Sequence, residues 1–174
     1  VWGDASDFDI TTSSGNQFIV RASGGVYLYT NPFLTAGTYL AAGSGAWQSV
    51  SDSTLKRNIR RVNTGTILQK VTALPICQWS YKAQDPSIEH IGPMAQDFYA
   101  AFALGESDTT ISTLDPDGIA LAAIQELAKQ NEELHTELEA ERTAVRRYRE
   151  ELNELMARVQ TLEANKQETS NKEQ

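Results

Sequence analysis

The apolar positions are most regular in the last third of the chain. Starting at Ile124 and stepping alternately three and four residues gives Ile124, Leu127, Asn131, Leu134, Leu138, Glu141, Val145, Tyr148, Leu152, Leu155, Val159 and Leu162. All except Asn131 and Glu141 are apolar or aromatic, and the pattern lasts about six heptads. No Gly or Pro interrupts it. A seam this narrow predicts a long helix that associates with parallel copies of itself as a dimer or trimer. Asn131 and Glu141 either fix register and oligomer state or are tolerated at a hydrated edge of the seam. His135 falls on the helix flank and is expected to be solvated. The polar stretch from Lys166 to Gln174 lacks periodicity and is expected to fray.

The middle of the chain, residues 51–118, reads as mixed α and β. Leu55, Ile59 and Val62 recur at i, i+4 and i+7, which predicts an amphipathic helix with Lys56, Arg57, Arg60 and Arg61 on its other faces. "GTILQKVTALP" predicts a second helix stopped by Pro75. "ICQWSYK" alternates Cys77, Trp79 and Tyr81 against Ile76, Gln78 and Ser80, as a strand with an aromatic face does. "GPMAQDFYAAFALG" predicts a helix with Pro93 in its first turn and Gly105 as its C-terminal cap. "TLDPDG" reads as a turn that caps the next helix.

Residues 1–50 alternate over short runs only. In "NQFIVRA", Phe18, Val20 and Ala22 fall opposite Gln17, Ile19 and Arg21, and "GVYLYT" is a second strand bounded by Gly and Asn-Pro. Strands so short, in a segment with few long apolar runs, are not expected to bury a core of their own. They are expected to pair between chains or to stack on a preceding β-stalk. The predicted fold class is therefore α+β: a β-stalk segment at 1–50, a small mixed core at 51–118, and a coiled coil with a polar tail at 119–174.

Composition narrows the function. With 40% hydrophobic residues the 174-residue chain can bury a core. A net charge of -8 and a pI near 4.8 argue against nucleic acid or an anionic membrane as partner, because phosphate contacts need a net basic surface. The basic cluster at residues 56–61 is the local exception. Cys77 stands alone, which excludes an internal disulfide and gives no zinc-ligand spacing, so no metal or cofactor is expected. It is expected to act as a small buried hydrophobe. No apolar run reaches the ~20 residues that span a bilayer, and no signal segment opens the chain. Because it begins with Val1, the chain is expected to be the end of something longer.

The candidate chemistry lies in "VSDSTLKRNIRRV", residues 50–62. Ser51, Asp52, Ser53 and Thr54 are all good N-cap residues, and a capped basic helix is one reading of the stretch. In the other, Ser51 is a nucleophile. Its hydroxyl then needs a base, and Lys56 can serve only when desolvation has made it neutral. On a continuous helix a five-residue step separates side chains by about 140°. The two can therefore meet only if Ser51 lies in the turn before the helix.

Three motifs, in order, resemble the S74 family of self-cleaving peptidases, the C-terminal intramolecular chaperones of phage endosialidases, tail spikes and tail fibres. The first is "SDSTLKRNI", with Ser51, Asp52, Leu55 and Lys56; the second is "HIGPMAQDF", with His90, Gly92, Ala95 and Gln96; the third is "DGIALAAIQEL", leading into the coiled coil. The resemblance covers roughly residues 51–165. It implies a homotrimeric assembly aid that holds an upstream β-stalk of the same chain in register and then cuts itself free at Ser51, with Lys56 as general base. Asp52, His90 and Gln96 would support the reaction. The bond cut would be Val50–Ser51 or Ser51–Asp52. The protein would be a phage tail or virion component assembled in the bacterial host cytoplasm, whose chaperone part is released after cleavage. A trimerisation module at a fibre tip that never cuts is the competing expectation.

Overall fold

The computed structural model describes the backbone of residues 2–172 and the side chains of residues 2–165. The chain forms two compact units, residues 1–60 and 61–174.

In the first unit, β1 (Trp2–Gly3) pairs in parallel with β2 (Val20–Arg21). An antiparallel three-stranded sheet follows, β3 (Gly25–Tyr29), β4 (Gly37–Ala41) and β5 (Trp47–Ser49), in that order. The expected strand over "GVYLYT" is β3. The one expected over "NQFIVRA" shrinks to the two residues of β2, because Asn16 takes a left-handed conformation (φ 60°) and Phe18 stands 86% exposed. β4 and β5 were not predicted. The loop between β3 and β4 is held by Asn31, whose Oδ1 accepts from the Thr35 and Ala36 backbone N–H groups at 3.0 and 3.3 Å. Register pairs Tyr27 with Tyr39 and Val26 with Leu40. Tyr27, Tyr29 and Tyr39 therefore stack along one face, with ring centroids 6.3 and 5.5 Å apart. Leu28, Leu40 and Trp47 share the other face. No described residue before Arg61 is buried, and Phe8 and Phe33 are each 80% exposed. That agrees with strands too short to enclose a core.

The second unit holds three helices and a two-stranded ribbon, and its core is built from the helices. α1 (Thr64–Ala73) is capped by Asn63, whose side chain accepts from Thr66 N–H, and it ends at Leu74, before Pro75. β6 (Cys77–Trp79) and β7 (His90–Gly92) pair antiparallel. α2 (Ala95–Phe102) starts two residues after Pro93, with Met94 as N-cap. It ends in a left-handed Ala103 (φ 51°) rather than at Gly105. α3 runs for 59 residues from Leu114 to Lys172, a rod of about 90 Å. "TLDPDG" is not a separate turn. Pro116 sits in the first turn of α3, where no backbone N–H is needed, and Asp115 and Asp117 complement the positive end of the helix. The stretch expected to fray is helical as far as Lys172; Glu173 and Gln174 lie outside the described residues.

The core of this unit is Leu68 of α1, Phe98 and Phe102 of α2, and Ile119, Ala122 and Ala123 of α3. Glu126 is buried with them. Its carboxylate accepts from the Thr64 hydroxyl at 2.6 Å and from the Gln130 amide at 3.2 Å. These two bonds, the Thr64 one first, hold its carboxyl below the ordinary range. Ile119, Ala122, Ala123 and Glu126 form one stripe of α3, and the predicted seam lies on another. From Leu127 to Asn165 no described residue is buried. Cys77 corrects the expectation of burial: it is exposed, because the residue paired with it is Gly92, which has no side chain to cover it.

Candidate active site

The amphipathic helix expected from Leu55, Ile59 and Val62 does not form. A single 3₁₀ turn, Ser53–Leu55, is followed by extended chain from Lys56. Asn58 is left-handed (φ 58°), and Leu55, Ile59 and Val62 stand 49%, 71% and 59% exposed. The stripe is not covered by any described residue, and helix formation in so short a segment depends on packing.

The cap of the turn is Asp52, not Ser51. The Asp52 carboxylate accepts from the Thr54 backbone N–H and hydroxyl, each at 2.8 Å, and these bonds, the backbone one first, hold its carboxyl below the ordinary range. Ser51 therefore precedes the turn, in the link from β5, and Lys56 follows it in extended chain rather than on the expected helix. Lys56 Nζ lies 2.6 Å from Ser51 Oγ and donates to it. The turn thus brings together the two residues of "SDSTLK" that an acyl-transfer reaction needs, a nucleophile and a base within hydrogen-bond reach. Both are exposed. Val50 closes the sheet side of the link, its N–H donating to the Gly37 carbonyl at 3.2 Å.

His90 and Gln96 belong to the second unit. The His90 ring packs on Trp79 and Tyr81, with centroids 4.8 and 5.5 Å away. Its Nε2 lies 3.0 Å from the side-chain oxygen of Gln84. The aromatic face predicted for "ICQWSYK" is thus present at Trp79 and Tyr81, completed by His90 from the facing strand. Gln96, in the first turn of α2, is exposed and lines a cleft of about 540 Å³ together with Trp79, Tyr81, Met94, Thr110 and Ile111. Sequence reasoning missed Gln84. Its signal was weak, a single amide in the polar loop between two strands.

The seam residues of α3 are all exposed, from 43% at Leu138 to 67% at Leu162. Asn131 and Glu141 are exposed too. The helix therefore presents an apolar stripe that no described residue covers.

Residues 51–104 match the Peptidase_S74 family model, chaperone of endosialidase. The match begins at Ser51 itself and ends two residues beyond α2. No curated protein matches the chain.

Proposed function

We propose that this chain is an intramolecular chaperone which trimerises through α3, holds an upstream β-stalk of the same chain in register, and releases itself by cutting at Ser51. The observation that carries the reading is the 2.6 Å contact between Lys56 Nζ and Ser51 Oγ, at the first residue of the family match.

The chemistry follows from that contact. Once Lys56 is neutral, its Nζ takes the proton of the Ser51 hydroxyl, and Oγ attacks the Val50 carbonyl carbon. The Val50–Ser51 peptide bond breaks, the Ser51 nitrogen takes the proton back from Lys56, and Val50 is left as an ester on Ser51 Oγ. Water then hydrolyses the ester, giving a Val50 carboxylate and a Ser51 N-terminal amine. Attack on the Val50 carbonyl closes a five-membered ring, whereas attack on the carbonyl of Ser51 itself would close a strained four-membered one. The bond before Ser51 is therefore the one assigned. Asp52 acts as a positioning residue, because its cap shapes the turn that sets Lys56 against Ser51. His90 and Gln96 are given a supporting part, to be read from rates.

Assembly gates the reaction. An exposed ammonium is stabilised by water, and a lysine becomes a base when water is removed from it. Trimerisation supplies that change by covering surface that is open in one chain. The arrangement also suits the client, since interchain β-pairings form slowly and can slip in register, and a helical clamp reduces the entropy lost in starting them. Cutting afterwards makes the folded trimer hard to reverse. The test is to follow fragment masses and oligomeric state together in wild type and in a variant with Leu134 and Leu138 changed to Asp. Cleavage between Val50 and Ser51 that appears only with the trimer supports the reading. A monomeric variant that cuts at the wild-type rate overturns the gating.

A further inference from the structure

The basic segment beside Ser51 has no ion-pair partner among the described residues. Its Arg57, Arg60 and Arg61 are exposed. Leu55, Ile59 and Val62 are exposed with them. The segment carries two unspent features: a concentration of positive charge in an acidic chain, and an apolar stripe at helical spacing.

The first half of α3 carries the opposite surplus. Between residues 126 and 141 it has Glu126, Glu132, Glu133, Glu137, Glu139 and Glu141 against the single cation Lys129. Lys129 pairs with Glu133 at 3.8 Å, and Glu139 pairs with Arg142 at 2.8 Å. Glu132 and Glu137 have no ion-pair partner among the described residues. Parallel association of α3 gathers several copies of this stretch around one axis. Like charges so gathered repel, and the assembly needs cations to offset them.

We propose that the segment Arg57–Val62 docks on the glutamate-rich stretch of α3 in a second copy of this chain, and that this docking is the event which orders the Ser51–Lys56 site. The inference rests on the trimeric reading above. The arginines meet the carboxylates, and Leu55, Ile59 and Val62 leave water at the same time. Lys56 immediately precedes the segment and is already engaged with Ser51, so ordering the segment removes water from the pair. Cleavage then reports correct assembly, because the site is completed by a neighbour.

The test uses the whole chain. Arg57→Glu, Arg60→Glu and Arg61→Glu are combined, with oligomeric state followed by sedimentation, and the reversal is then joined to Glu132→Lys and Glu137→Lys. The expected result is cleavage slowed by about tenfold or more in the reversed protein, which still assembles, and largely restored in the double reversal. Wild-type cleavage in the first variant, or no recovery in the second, overturns the proposal. A second readout is independent of cleavage: in Ser51→Ala, amides 55–62 are protected from hydrogen exchange in the assembled protein and lose protection on charge reversal. Absent protection overturns the proposal even if the chain never cuts. Protection that survives the reversal points to an occupant other than the acidic stretch and also overturns it.

Discussion

Replacing Leu134 and Leu138 with alanine tests whether the stripe on α3 is an assembly surface. The two side chains are 64% and 43% exposed in one chain, so roughly half of each remains to be covered by a partner. Full burial of a leucine side chain is worth about 1.5–3 kcal/mol, and truncation to alanine therefore removes about 1 kcal/mol of association energy per side chain. In a trimer six such side chains are lost, about 6 kcal/mol, or roughly 10⁴-fold in the assembly constant at 1.4 kcal/mol per decade. Sedimentation velocity over a concentration series reads this directly. If the proposed trimer forms, the variant should shift to monomer at micromolar concentrations where wild type stays assembled, and α3 should lose helix beyond Leu127, where no described residue is buried. An unchanged oligomer and unchanged helicity would show that the seam is not the interface.

Three further outcomes follow from the fold. Phe98→Ala removes a ring only 3% exposed that lies 5.1 Å from the Phe102 ring; it should cost the second unit about 3–5 kcal/mol in chemical denaturation, and under 1 kcal/mol would refute the assigned core. The Glu126 carboxyl is held below its ordinary value near 4.5, chiefly by the Thr64 hydroxyl. Its contribution is therefore complete above that value and is lost as pH falls through the lower folded value. Glu126→Gln should flatten the acid limb of the stability–pH curve, and an unchanged limb contradicts the assignment. Gly37 has φ 155°, and a Cβ there would collide with the Leu28 carbonyl oxygen and come within 2.9 Å of Tyr29 Cα. Gly37→Ala should strain the β3–β4 hairpin by about 1–3 kcal/mol, seen as faster amide exchange at Tyr29 and Tyr39; exchange at the wild-type rate would refute it.

Periodicity was legible where the chain supplies its own packing. α1 and α3 follow from apolar spacing, and Asn63 and Pro75 bound α1 as their chemistry requires. The segment 53–62 has the same spacing but packs on no described residue, and the helix that its pattern predicts does not form. Pattern alone could not separate the two cases, because amphipathicity records a demand for a partner and not its location. β4 and β5 escaped notice for a different reason. Their apolar faces stay partly open, so their residues do not alternate as half-buried strands do. At the candidate site, the reading of the Ser51–Lys56 spacing presupposes a helix that does not form; the contact is made instead across a 3₁₀ turn capped by Asp52. The loop amide that meets His90 carried no such signal.

The most direct measurement is the intact mass of the freshly expressed protein, beside Ser51→Ala and Lys56→Ala. Self-cleavage through the Ser51–Lys56 pair predicts two wild-type fragments, one ending at Val50 and one beginning at Ser51, with both variants whole. Three intact chains under conditions where the protein is trimeric would contradict it, leaving a clamp that assembles its client and stays attached.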